Sequence, residues 1–184
     1  MSHEEFEKYY RGITDIMKPT KIDTILDIGC GSGELVALFY KDGYKIRGSD
    51  PSERLIKIAK ERFGDMFFVD DIINMVHNIA YTKILLNGVW QYLHPNLYEQ
   101  ALRNLHNICK ESVFITDNPD FDKRELWYKN KLASSLTSYF PVYNSKSSAF
   151  WVKDFSDLAR NAGFSRIEKI DSWAYYRCHY ILMR

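Results

Sequence analysis

The sequence predicts an α/β fold, a doubly wound and mostly parallel seven-stranded sheet between two helical layers, closed by a C-terminal antiparallel strand pair. Three observations carry this prediction. Short apolar runs alternate with amphipathic helical stretches at the spacing of right-handed crossovers. The first apolar run stops at a carboxylate and then at three alternate glycines, "ILDIGCGSGEL". The last two strand-like segments are joined by too few residues for a crossover helix, so they should pair antiparallel.

In chain order, "EEFEKYYRGITDIM" places Phe6, Tyr9, Tyr10, Ile13, Ile16 and Met17 at mostly helical intervals ahead of Pro19, which predicts an amphipathic helix. "TILDIG" is apolar on both faces, as a central parallel strand should be. "GELVALFYKDG" reads as a helix closed by Gly43, and "YKIRGSD" as the second strand. "SERLIKIAKERFG" is a helix capped by Ser52, with Leu55, Ile56, Ala59 and Phe63 on one face. "DMFFVDD" is the third strand, followed by a loop or short helix, "DIINMVHNI". "TKILLNG" is the fourth strand, the helix after it begins near Pro95, and "SVFITDN" is the fifth strand. The final helix, "VKDFSDLARNAGF", precedes the closing pair "SRIEKIDSWA" and "RCHYILMR".

The chain of 184 residues suits a single domain over 1–184. Its net charge of +1 gives no electrostatic reason to expect nucleic acid or an anionic membrane as a partner. Three widely spaced cysteines form neither a disulfide framework nor a metal-binding pattern. The polar N-terminus and the absence of a long apolar run suggest a cytoplasmic protein. Thirteen Tyr, eleven Phe and four Trp suit an aromatic-lined pocket.

In an open parallel sheet, ligands sit beyond the carboxyl ends of the strands where strand order reverses. Gly29 and Gly31 can adopt backbone angles closed to other residues and let a ligand touch the main chain. Gly33 lets the next helix pack closely. A pyrophosphate site would read G-x-G-x-x-G. Here the third glycine arrives early, and Glu34 stands where the last should be. Asp27 adds negative charge, which suits a cationic ligand such as S-adenosylmethionine. Asp50 ends the second strand, where a carboxylate can accept ribose hydroxyls. Asp70 and Asp71 end the third, placed to reach an adenine amino group.

With these residues in order, the chain resembles the class I S-adenosylmethionine-dependent methyltransferases, a Rossmann-like family. "LDIGCGSGEL", "GSDPSERLIKIAK", "FFVDDI" and "LLNGVWQYL" match its first four motifs, and "FITDNP", "LARNAGF" and the antiparallel ending also match. The resemblance covers roughly residues 20–184. It implies that Asp27, Gly29, Cys30, Gly31 and Gly33 hold the methionine end of S-adenosylmethionine and Asp50 the ribose. Pro51 and Ile72 would flank adenine, Asp71 would take its amino group, and Asn87 and Gly88 would line the sulfonium pocket. Cys30 is read as a small residue tolerated beside the ligand.

For the acceptor, the family's His-containing pair after the fourth strand is replaced by Gln91-Tyr92, so a histidine base is not expected there. His94 should cap a helix, and His179 is read as a core or edge histidine. Metal-dependent O-methyltransferases of this family carry an Asp-Asn pair after the fifth strand and an Asp after the fourth. Asp117-Asn118 matches the pair, but Asn87 stands at the other position, and a hard cation prefers carboxylate; no metal is expected. Tyr92 and Asp117 are the catalytic candidates, and Tyr10, Gln91, Asn118, Trp127 and Tyr143 the substrate-binding ones. Helix 1–19 should cover the cofactor, and the insertion 119–150 should recognise the acceptor. That insertion loosely resembles its counterpart in small methyltransferases of bacterial surface-polysaccharide pathways, which points to a small-molecule hydroxyl on a sugar or sugar-phosphate. The competing reading is a non-catalytic subunit that binds S-adenosylmethionine. A dehydrogenase fails on the glycine spacing, and no N/D-P-P-Y/F motif supports a nucleic-acid substrate.

Overall fold

The computed structural model describes residues 2–133, 151–172, 174 and 176–184. Ser2 opens the first helix, α1 (His3–Met17), with a capping box: its hydroxyl accepts from the Glu5 N–H while Glu5 reaches back to the Ser2 N–H. There follow β1 (Thr24–Ile28), α2 (Glu34–Lys41), β2 (Lys45–Asp50), α3 (Glu53–Phe63), β3 (Phe67–Val69) and β4 (Tyr81–Asn87). Two single turns, Trp90–Tyr92 and Pro95–Leu97, lead into α4 (Tyr98–Ile108) and β5 (Cys109–Pro119). The described chain closes with α5 (Arg124–Ala133), α6 (Ser156–Asn161), β6 (Arg166–Asp171) and β7 (Arg177–Met183).

The seven strands run in the order β3-β2-β1-β4-β5-β7-β6. The first five in that order pair parallel, whereas β7 pairs antiparallel with both β5 and β6. The expected fold class is the one observed. Strand order reverses between β1 and β4, so the carboxyl ends of those strands form the ligand crevice of a doubly wound sheet.

Alternating side chains of the central strands supply two cores. Ile25, Leu85 and Phe114 pack with Ile13 and Met17 of α1, Val36 and Phe39 of α2, and Ile56 of α3. On the other face Leu26, Ile28, Ile84, Leu86 and Ile115 pack with Leu102 and Leu105 of α4 and Ala159 of α6. Because both faces are covered, Ile25–Leu26, Ile84–Leu86 and Val113–Ile115 are unbroken apolar runs. This fixes where each strand ends and therefore where its terminal polar residue sits.

Two expectations change. β3 has three residues, shorter than "DMFFVDD", because Asp70 and Asp71 use their carboxylates to organise a turn. Asp70 accepts from the N–H groups of Asp71, Val76 and His77, and Asp71 accepts from those of Ile73 and Asn74. The stretch after them is consequently a loop and not a short helix. The last helix is confined to Ser156–Asn161, because Val152 bridges to Asp120 as extended chain. Ser52 and His94 cap as expected, accepting from the N–H groups of Leu55 and Asn96.

Candidate active site at the carboxyl edge of the sheet

The glycine loop follows β1 directly. The N–H groups of Gly29 and Cys30 both donate to the Ser49 carbonyl, at 2.7 and 2.9 Å, and Gly33 donates to Cys30 at 3.1 Å. Gly31 donates to Asp50 Oδ2 at 3.0 Å, while Asp50 Oδ1 accepts from Ser52 at 2.9 Å. The ends of β1 and β2 are thereby locked together through the carboxylate expected to meet ribose.

The three loop glycines have different jobs. A Cβ on Gly29 would lie 2.4 Å from Val89 Cγ2, and one on Gly33 would lie 2.6 Å from the Phe67 ring. Those two glycines permit close packing. Nothing lies within 4 Å of the corresponding position at Gly31, whose φ is 58°, so Gly31 alone opens a space in which a ligand could approach the backbone.

Asp27 is buried, 2% exposed, and its Oδ1 is a buried oxygen without a hydrogen-bond partner. Burial, with the Asp50 charge adding, pushes its carboxyl up to about 8. An unpartnered buried carboxyl is costly unless a ligand completes it. No Lys or Arg occurs in residues 25–35 to meet a phosphate. Cys30 is half-buried, and burial followed by the charges of Asp27 and Asp50 pushes its thiol far above the usual range. It is no redox-sensitive thiolate.

Beyond β4 the edge carries a second polar group. Asn87 Oδ1 accepts from the Tyr9 hydroxyl at 2.5 Å and from Thr116 Oγ1 at 2.9 Å. Gly88 donates to the Thr116 carbonyl at 3.0 Å and its own carbonyl accepts from Gln91 Nε2. The Asp117 carboxylate lies 3.9 Å from where a Gly88 Cβ would be. It meets Arg177 Nη1 at 3.1 Å. Burial raises the Asp117 carboxyl above its ordinary value, although Arg177 and a hydrogen bond from Tyr9 act against it. Burial likewise pushes the Tyr9 hydroxyl well above the tyrosine range.

These features put two buried carboxylates, Asp27 and Asp50, beside an open glycine position at the carboxyl edge of the sheet. The sequence profile of the methyltransferase domain matches residues 1–169. The chain belongs to the class I S-adenosylmethionine-dependent methyltransferases. It is 24% identical over 183 residues to an uncharacterized methyltransferase of Alkaliphilus oremlandii, covering 95% of this chain and 83% of that protein. Its fold is similar to that of a TehB-like S-adenosylmethionine-dependent methyltransferase from Corynebacterium glutamicum, with TM-score 0.63, 19% identity and coverage of 98% and 97%. It is also similar to magnesium protoporphyrin IX methyltransferase from Synechocystis, solved with bound S-adenosylhomocysteine, with TM-score 0.70, 16% identity and coverage of 99% and 83%.

The methyltransferase's own residues fit S-adenosylmethionine, since Asp27 lacks the donor that an ammonium would supply and Gly31 leaves the backbone accessible. Ile72 is a buried apolar side chain beside Asp71, and Pro51 is exposed after Asp50. Asp71 is half-buried and spends Oδ1 on its own turn.

The acceptor candidates are spread more widely. Tyr10 turns away from this edge: its hydroxyl donates to Asp42 at 2.7 Å and its ring packs edge-on against Phe39. Its neighbour Tyr9 is the α1 tyrosine that reaches Asn87. Tyr92 sits on the turn after β4 and is 60% exposed. Asn118 is fully buried, with its amide on the Ile115 carbonyl at 2.8 Å. Trp127 packs with Tyr128, Trp151 and Tyr176 in an aromatic group next to Arg177. Tyr143 lies outside the described residues. Sequence reading missed Arg177 and the contact of His179 with Asp117. No local signal marks them, because they come from an antiparallel strand about sixty residues away. Among the described residues, no group of three or more His, Cys, Asp or Glu side chains could hold a metal ion. No described helix is long and apolar enough to cross a membrane.

Proposed function

We propose that this methyltransferase acts on a hydroxyl of a small molecule, of the sugar or sugar-phosphate class, with Asp117 as the proton acceptor. The observation that carries the reading is the Asp117 carboxylate near the end of β5, half-buried beside Gly88 and Tyr9, with its carboxyl raised by burial. A neutral hydroxyl is a poor nucleophile until its proton has somewhere to go. A carboxylate of raised pKa is a better base than an exposed one. Arg177 at 3.1 Å keeps its ionised form accessible.

Bound in the crevice, S-adenosylmethionine supplies a methyl group already activated on a sulfonium. The chain must therefore orient, exclude water and accept a proton. Asp27 would meet the ammonium, the Gly31 backbone the methionine end, and Asp50 the ribose hydroxyls. Asp71 and Ile72 would hold adenine. Tyr9 closes α1 over Asn87, and Asp117 takes the acceptor proton as the acceptor oxygen is methylated. Trp127 and Tyr128 offer ring faces of the kind on which a sugar ring stacks, and Gln91 carries a second amide beside Gly88.

The test joins calorimetric titration with S-adenosylhomocysteine, using NADH as control, to a methyl-transfer screen over sugars, sugar phosphates and sugar nucleotides. One-to-one binding of the thioether and transfer to a hydroxyl in that set are expected. Asp117→Asn should lower kcat by about 10²–10⁴-fold with thioether affinity retained. An unchanged kcat would remove Asp117 from the chemistry. Binding without transfer to any hydroxyl would move the reading to the non-catalytic subunit.

A further inference from the structure

β5 and β7 lose register at one place. Ile115 pairs with Tyr180 and Asn118 with Cys178, so Thr116 and Asp117 together oppose His179. Two residues against one make a β-bulge, which bends the strand and re-aims a side chain. The backbone of Asp117 shows the strain, with φ at 59°, a left-handed value seldom taken by a residue with a side chain. Such a conformation persists only where its surroundings hold it.

Here two side chains of β7 do the holding. The Asp117 N–H donates to His179 Nδ1 at 3.0 Å. The Asp117 carbonyl accepts from Arg177 Nη1, and the same nitrogen faces the Asp117 carboxylate at 3.1 Å. Residues 177 and 179 are two apart on one strand and so project to the same side. His179 is fully buried, and burial together with the charges of Lys123 and Arg177 pushes its imidazole down to about 4. It is accordingly neutral at pH 7, with a lone pair left on Nδ1 to accept.

We infer that Arg177 and His179 are positioning residues that clamp a bulge in β5, and that the clamp turns the Asp117 carboxyl toward Gly88 and Tyr9. Without them, β5 would continue its alternation and the residue after Thr116 would point to one sheet face. The consequence for catalysis rests on the reading of Asp117 as proton acceptor, whereas the clamp itself can be tested without an acceptor.

His179→Leu and His179→Asn are the informative pair. Both remove the imidazole and branch at Cγ into two terminal groups, but only Asn places an acceptor oxygen near the former Nδ1 position. The readouts on the full isotope-labelled chain are the Asp117 amide exchange rate, the titration of the Asp117 carboxyl carbon, and calorimetric affinity for S-adenosylhomocysteine. The Leu variant should exchange Asp117 about tenfold faster than the Asn variant. Its Asp117 titration should move, while thioether affinity stays within about twofold in both. Equal exchange in the two variants would overturn the clamp, and a shared loss of thioether affinity with equal exchange would make His179 a packing residue. If exchange responds as expected but Asp117→Asn keeps full kcat, the clamp stands and the base assignment falls.

Discussion

Donor binding should be coupled to a proton at Asp27. In the ligand-free protein this carboxyl titrates at about 8, because it is buried and shares the crevice with Asp50. At pH 7 it is therefore about nine-tenths protonated. An ammonium against it favours the carboxylate, so binding S-adenosylhomocysteine at pH 7 should release about 0.9 proton. The observed affinity should rise about ninefold from pH 6 to 7, about fivefold from 7 to 8, and then level off. Calorimetry in two buffers of different ionisation enthalpy reads the proton directly, and Asp27→Asn should abolish both the release and the slope. The same carboxyl shapes the stability of the free protein. The unfolded chain gives up the Asp27 proton at the ordinary carboxyl value while the folded chain retains it until about pH 8. Stability is therefore lost as pH rises through that window, by about 1.4 kcal/mol for each pH unit. Asp27→Asn should flatten that slope in thermal unfolding while weakening the thioether. Heats independent of buffer, with an affinity flat between pH 6 and 8, would refute the placement of the ammonium at Asp27.

Four other predictions concern the loop glycines, the α1 tyrosines and a buried ion pair. Gly29→Ala puts a methyl 2.4 Å from Val89 at a φ of 77° and should cost about 2–4 kcal/mol in urea denaturation. Gly31→Ala meets open space and should cost about 1 kcal/mol of stability while weakening thioether binding more than Gly29→Ala does per unit of stability lost. Tyr9→Phe removes the hydroxyl that bonds Asn87 and should weaken thioether binding about fivefold, whereas Tyr10→Phe, which loses only Asp42, should leave it unchanged by calorimetry. Asp120→Ala leaves the Lys169 ammonium, now 2.9 Å from a buried carboxylate, without its main partner and should lower stability by about 2–3 kcal/mol in thermal unfolding.

The glycine loop and the carboxylates near it were legible because each sits in, or at the end of, a short local pattern in the chain. The first carboxylate of each strand-like run marks its carboxyl end to within a residue: Asp50 is the last residue of β2, and Asp27 lies one residue before the end of β1. The packing role of Gly33 was legible, but that of Gly29 was not, because Val89, which a Cβ there would strike, comes from the turn after β4. Tyr9 and Tyr10 show the limit of periodicity on a half-buried helix. Adjacent residues differ by about 100° around the axis, and the helix's rotation against α2 and β4 decides which hydroxyl faces the crevice.

By itself the sequence determined the alternation of strands and helices, the mixed ending of the sheet and the carboxylate-lined glycine loop, since each depends on local periodicity and short-range turn chemistry. The tertiary structure decided how Asp117 is held. Its left-handed backbone, its ion pair with Arg177 and its hydrogen bond to His179 arise where an antiparallel strand meets a bulge about sixty residues earlier in the chain. Strand pairing and its register are set by packing across the whole sheet, and no window along the chain contains that information.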